Sequence, residues 1–458
     1  MLARYAPLLT VLLSYFVLTV LMNIVFVVYD DRFAALSLNF FSISAFPIHT
    51  PGYWILLLLP FLIVPPVAIC VSRMLEGHLR TFAEWVPEFR LLDYLAITGV
   101  CYAIVVNAMY RADAWRLLWS GHNAASSVWA RFELLDNLWF FERVTLQSLL
   151  VFLTLYSVMR AYRTRERVWI LLFVLNLIAM ITLLVLLNMK WPVIVLMGGV
   201  VACTAMFARH KIISTAIGTA GMVLLYLLVA TVVMRLPPPS LAPREAPRME
   251  TAAKDSPGPE QTIASPAKPG AEQTANRIPG DGAKPTVETT VKAASSWSAF
   301  LAVSGLIRMA LPYPFYYRTF SEVGHVCGTI FDRVMRRHNP CQPSLLVYEQ
   351  MFKDDGFAGR GTAPAAFHIT GYALDGWLGA IVETVLAGIV IGAFMAVPSN
   401  ASAVAGTALV MGVLTAYFFS QLPFEGAIIY DHGLLWWLLL VICYAAVRHL
   451  FSRIGRRA

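Results

Sequence analysis

Ten stretches of the chain are apolar almost throughout, and the polar residues collect in the gaps between them. The apolar runs fall at about 6–28, 52–72, 91–110, 143–160, 168–189, 192–208, 212–234, 366–396, 403–422 and 434–450. A bilayer core about 30 Å thick takes about 20 helical residues to cross, so each run predicts a transmembrane helix. The first is too long for a signal peptide and lacks a small-residue cleavage site, so it is expected to be retained. Ten spans put both termini on one side.

The gaps test this map, because short cytoplasmic loops collect Lys and Arg. The loop Arg160 to Arg167, the turn Arg209 to Lys211 and the tail with Arg448, Arg453, Arg456 and Arg457 all fall inside, while Asp30, Asp31, Glu425 and Asp431 fall outside. Counting 297–315 as an eleventh span would carry the arginine-rich tail across. That segment holds Arg308 and is interrupted by Pro312 and Pro314, so it is expected to lie on the surface or re-enter the membrane. Residues 236–295 are rich in Pro, Ala, Gly and mixed charge, cannot bury enough apolar surface to offset ordering entropy, and predict a disordered external tether. The expected organisation is therefore an N-terminal membrane bundle at 1–235 (about seven spans), the linker 236–295, an external loop with interfacial helices at 296–365, and a C-terminal bundle at 366–458 (about three spans).

Composition agrees with a polytopic all-α membrane protein: mean hydropathy is +0.66, and 58% of residues are apolar against 14% charged. A net charge of +8 is read as loop orientation rather than as a nucleic-acid footprint. No repeat relates the two halves, which weakens a carrier built on internal symmetry.

What remains is positive charge on the outer side. Arg111, Arg116, Arg131 and Arg143 flank the third external loop. Lys190 occupies a tight turn beside Trp191. Arg308, Arg318, Arg333, Arg336, Arg337 and Arg360 fill the large loop. Guanidinium forks match phosphate oxygens and ammonium serves as a point charge, so an anionic, lipid-linked ligand accounts for cations kept there; snorkelling or headgroup pairing is the alternative. Candidate proton acceptors are His368, His325, Asp375, Glu133 and Asp136, although Asp375 also suits a helix N-terminus and His368 an interfacial hydrogen bond. Glu383, two turns into the eighth run, must face the bundle or a cavity. Gly376, Gly379, Ala380, Ala387, Gly388 and Gly392 make a close-packing face on that helix. Tyr313, Phe315, Tyr316 and Tyr317 suit either sugar stacking or an interfacial belt. Cys327 and Cys341 are both external and able to form a disulfide in an oxidising compartment, whereas Cys70, Cys101, Cys203 and Cys443 are packing residues. No zinc, calcium or nucleotide-loop spacing occurs.

The run from Arg308 to Gly392 resembles the large external loop and following helix of Wzy-type O-antigen and exopolysaccharide repeat-unit polymerases, relatives of the O-antigen ligases. The resemblance lies in RMALPYPFYYRTF, EVGHVCG, GTAPAAFHITGY and LDGWLGA, with the turn NMKWPVIVLMGG between two mid-chain helices. It implies a C-type glycosyltransferase-like fold. The implied reaction transfers a glycan from one polyprenyl diphosphate to a sugar hydroxyl of another on the extracytoplasmic face, without cofactor or metal. By position, Lys190, Arg308 and Arg318 would bind diphosphate. The residues' own chemistry adds Arg360 to that group, makes His368, Asp375 and Arg308 the catalytic candidates, and offers Tyr316, Tyr317 and His325 as contacts to the acceptor sugar. His368 stands where the related ligases carry a histidine, but its spacing to Gly376 and Gly379 departs from theirs. The implied setting is a bacterial inner membrane with both termini cytoplasmic, and the implied partners are the lipid-linked oligosaccharide, membrane lipid, a flippase and a chain-length regulator. Transfer to another acceptor, as by a ligase, and a non-enzymatic glycan transporter or assembly subunit are the competing readings.

Overall fold

The structure is a computed structural model that describes residues 2–29, 46–114, 134–186, 190–228, 309–322, 324, 327, 342–351, 361–430 and 433–454. Pro237–Phe300 form a separate unit outside the described residues, so the expected tether at 236–295 is not among them. Everything described belongs to the other unit, and among the described residues every regular element is helical.

Among the described residues, seven helices are long and apolar enough to cross a membrane. They are α1 (Ala3–Val28), α2 (Pro51–Trp85), α3 (Leu91–Arg111), α4 (Phe140–Thr164), α5 (Arg167–Leu186), α10 (Phe367–Met395) and α13 (Leu434–Ile454). Shorter apolar helices occupy three further runs: α6 (Lys190–Phe207), α7 (Lys211–Leu228) and α11 (Ala403–Phe419). The polar elements are α8 (Pro312–Glu322), α9 (Pro343–Met351) and α12 (Phe424–Ile428). Each of the ten apolar runs holds a helix among its described residues, and seven of those helices reach spanning length.

Burial tells which helices are central. α4 is 83% buried over its most apolar window, while α5 leaves Ile170, Leu171, Leu175 and Ile178 exposed, as a helix bathed in lipid must. Two helices contain a π turn, α1 at Phe16–Val20 and α4 at Thr145–Leu149. α2, at 35 residues, is about 52 Å long at 1.5 Å per residue and outreaches the hydrocarbon core. It carries Pro60, Pro65 and Pro66 in its interior, each of which removes a donor and frees a carbonyl one turn back.

Two cores result. The larger joins α3, α4, α5, α6, α11, α13 and much of α10. The smaller gathers Tyr15, Val20 and Phe26 of α1, Tyr53 to Leu59 at the start of α2, the aromatic residues of α8, Val347 and Met351 of α9, and Ala363 to Ala373. At the opposite end Glu88 ties sequence-distant parts together. Its Oε1 accepts from the Ala403 amide at 2.9 Å, and its carboxylate pairs with Arg160 and, at 4.0 Å, Arg163.

The eighth run corrects the expectation of one continuous helix. α10 is broken at Asp375 (φ −126°, ψ 20°) and Gly376 (φ 63°, ψ −145°), a conformation open to glycine and strained for other residues. Residues eight apart lie about 12 Å apart along a straight helix. Here a Cβ on Gly371 would sit 2.6 Å from the Gly379 carbonyl oxygen, and Thr370 Oγ1 lies 3.4 Å from Glu383 Oε2. The limb 367–374 therefore folds back along the limb 377–395. The long limb then packs on α2, where a Cβ on Gly388 would meet Val67 at 2.9 Å and one on Gly392 the Ala68 carbonyl at 2.6 Å. The small-residue face is a packing face.

Pro312 and Pro314 are expected to interrupt a helix, and one does stop there: residues 309 and 310 are helical, Leu311 is a turn, and α8 begins anew at Pro312, in whose first turn a missing amide donor costs nothing and a fixed φ favours the helix.

Candidate functional site

The smaller core brings polar groups from five parts of the chain to one end of the bundle. Asn23 of α1 donates to the Thr19 carbonyl at 2.8 Å and accepts from the Tyr53 hydroxyl of α2. Tyr313 of α8 donates to the Tyr53 carbonyl at 2.6 Å. Burial holds the Tyr313 phenol well above its ordinary pKa, so it stays neutral and remains a donor. Tyr317 stacks on Tyr372 of the short limb, with centroids 5.8 Å apart and planes 14° from parallel, and Trp377 meets Tyr372 edge-on at 5.7 Å. A Cβ on Gly52 would stand 2.5 Å from the Tyr317 hydroxyl, so glycine there admits the ring.

Deeper lies His368, with no exposed surface. Its Nε2 is 3.1 Å from the hydroxyl of Tyr15, which itself donates to the Leu57 carbonyl at 3.0 Å. A phenol has one proton, so with that proton on Leu57 the hydroxyl accepts from Nε2–H. The Leu56 carbonyl also faces the imidazole, although Nδ1 makes no hydrogen bond within ordinary distance and angle limits. Glu383 is buried in the crook of the hairpin, against Thr370 and Gly371. Asp375 is half-buried at the elbow.

The expected site residues separate clearly. Arg318 projects from α8 with 45% of its side chain exposed, its guanidinium 5.8 Å above the Phe46 ring and its Nε 3.4 Å from Glu322. Lys190 opens α6, which packs against α4, α5, α7 and α11; its side chain lies outside the description. Arg308, Arg360 and His325 lie outside the described residues, as do Glu133 and Cys341. Asp136 is described and exposed, and Cys327 is buried and disulfide-bonded while the other described cysteines are free. Arg111 is engaged by Glu142 at 2.6 Å and stacked on Trp139 at 4.6 Å.

Three expectations change. His368 is an interior residue rather than an interfacial one, because the limb carrying it folds back into the protein. Tyr313, Phe315, Tyr316 and Tyr317 do not form a lipid-facing belt: all are buried, because α8 turns its aromatic side onto the start of α2, α9 and the short limb of α10. Tyr316 in particular is fully enclosed, its hydroxyl directed to the Ala363 carbonyl at 3.4 Å, which leaves no ring face for a sugar.

Sequence reasoning did not single out Tyr15, Asn23, Tyr53 or Pro60. A signal existed for two of them: Tyr15, Thr19 and Asn23 recur every fourth residue in an otherwise apolar span.

Fold and site together define an α-helical, multi-pass membrane protein. No family model matches the chain, and no curated protein or solved structure matches it either.

Proposed function

We propose that the protein is a glycosyltransferase that joins polyprenyl-diphosphate-linked oligosaccharide repeat units on the extracytoplasmic face of a bacterial inner membrane. One observation carries the reading. The two stretches that bear the polymerase resemblance, PYPFYYRTF and FHITGYALDGW, pack on each other through Tyr317 and Tyr372 at one end of α1 and α2. The disulfide at Cys327 supports an oxidising compartment on that side.

In the proposed reaction a hydroxyl oxygen of the acceptor glycan attacks the anomeric carbon of the donor. The new carbon–oxygen bond forms as the bond to the diphosphate oxygen breaks, and the electron pair leaves with the lipid diphosphate. Arg318, exposed on α8, and the further cations Lys190, Arg308 and Arg360 are assigned to that developing charge. The hydroxyl proton passes to Asp375, whose place at the elbow beside Tyr372 and Trp377 suits it better than the enclosed His368.

The test is purified protein in lipid nanodiscs supplied with a single defined lipid-linked repeat unit, with products resolved on a gel. A ladder of repeat-unit spacing is the expected result. No product longer than the input overturns the polymerase, and transfer only to an added lipid A or protein acceptor replaces it with a ligase.

A further inference from the structure

We propose that Tyr15 and His368 form a latch inside the membrane that seats the short limb of α10 on the turn of α2 before Pro60, and that both are positioning residues. Pro60 leaves the Leu56 carbonyl, one turn back in α2, without its helical amide donor. On the same turn the Tyr15 hydroxyl donates to the neighbouring Leu57 carbonyl at 3.0 Å while accepting from His368 Nε2–H at 3.1 Å. The two rings stand at 85° with centroids 5.1 Å apart, edge to face.

Three segments thus meet at one polar point: α1 through Tyr15, α2 through the Leu57 carbonyl, and α10 through His368. The short limb ends seven residues later at Asp375, so whatever seats His368 also sets where the elbow lies. Thr370 and Gly371, two and three residues after His368, hold the limb against Glu383 and Gly379. His368 therefore acts through the position of the elbow, without itself meeting a substrate. This assignment rests on the proposed transfer reaction only for its kinetic arm.

The experiment compares wild type, Tyr15→Phe, His368→Gln and the double variant in nanodiscs. The first readout is hydrogen exchange of residues 367–376, which needs no substrate. Each single variant is expected to speed exchange there about fivefold, the worth of a hydrogen bond of about 1 kcal/mol, and the double variant no more than either single. The second readout is the pH profile of transfer: kcat falls about tenfold in each variant with the shape of the profile retained. Unchanged exchange in both single variants, or losses that multiply in the double variant, overturns the latch. Loss of one limb of the pH profile in His368→Gln alone makes His368 the base instead. If wild type shows no transfer, the polymerase reading falls and the exchange arm decides the latch by itself.

Discussion

Arg318 can be removed without opening the core, since the aromatic residues of α8 are packed inward and its own side chain is half exposed. Arg318→Ala is expected to leave expression and melting temperature unchanged and to slow chain extension at least about tenfold, a loss of about 1.4 kcal/mol of transition-state stabilisation; normal polymer length would remove it from the site. Gly376 is the opposite kind of residue. Its φ of 63° with ψ of −145° strains any side chain, so Gly376→Ala is expected to cost about 1–3 kcal/mol, read as earlier thermal unfolding in detergent. Gln147 lies in the π turn of α4, buried, with its Oε1 unpaired. Gln147→Leu, similar in volume, is expected to raise stability by about 1 kcal/mol in the same assay, because it removes an unmet polar group from an apolar interior.

At the scale of the element, apolar periodicity marked out helices and missed a hairpin. A run such as FHITGYALDGWLGAIVETVLAGIVIG is apolar on all sides of any helix drawn through it, so its composition is the same for a straight span and a folded one. The break depends on Gly371, Gly376 and Gly379 acting together: two let backbones touch, and one supplies the turn. α8 shows a related limit. PYPFYYRTF reads equally well as an interfacial belt or a packed helix, and the partners that decide, Asn23, Tyr53 and Gly52, lie more than 250 residues away. Tyr313→Phe removes one hydrogen bond of 2.6 Å, worth about 1 kcal/mol, and is expected to make residues 309–351 several-fold more sensitive to limited proteolysis while α4 stays protected.

Across the whole molecule, Glu88 stands as the counterweight to the tyrosine-rich end. It holds Arg160, Arg163 and the first amide of α11, with Ser402 capping the same helix start at 3.0 Å. Charge placement in the sequence predicted that Arg160 to Arg167 lie inside and α8 outside, and the structure sets Glu88 and α8 against different ends of α2. After Cys70 and Cys443 are replaced by Ser, a cysteine in place of Glu322 is expected to react with a membrane-impermeant maleimide in intact cells. One in place of Glu166 is expected to react only after permeabilisation, and the reverse pattern would invert the topology. Of the candidate site, the aromatic and basic stretches around Arg308 to Gly392 were legible as stretches. Which of their residues are buried was not.

By itself the sequence determined that this is a helical membrane protein, where its apolar runs lie, and which loops are basic, because the cost of exposing a polar backbone or a charge to hydrocarbon acts on each segment alone. Tertiary structure decided that α10 doubles back, that His368 is enclosed, and that the turn of α2 before Pro60 is met by Tyr15 of α1, which also bonds His368 of α10. Those outcomes depend on which buried polar groups find each other across more than 300 residues of chain, and no local preference encodes that pairing.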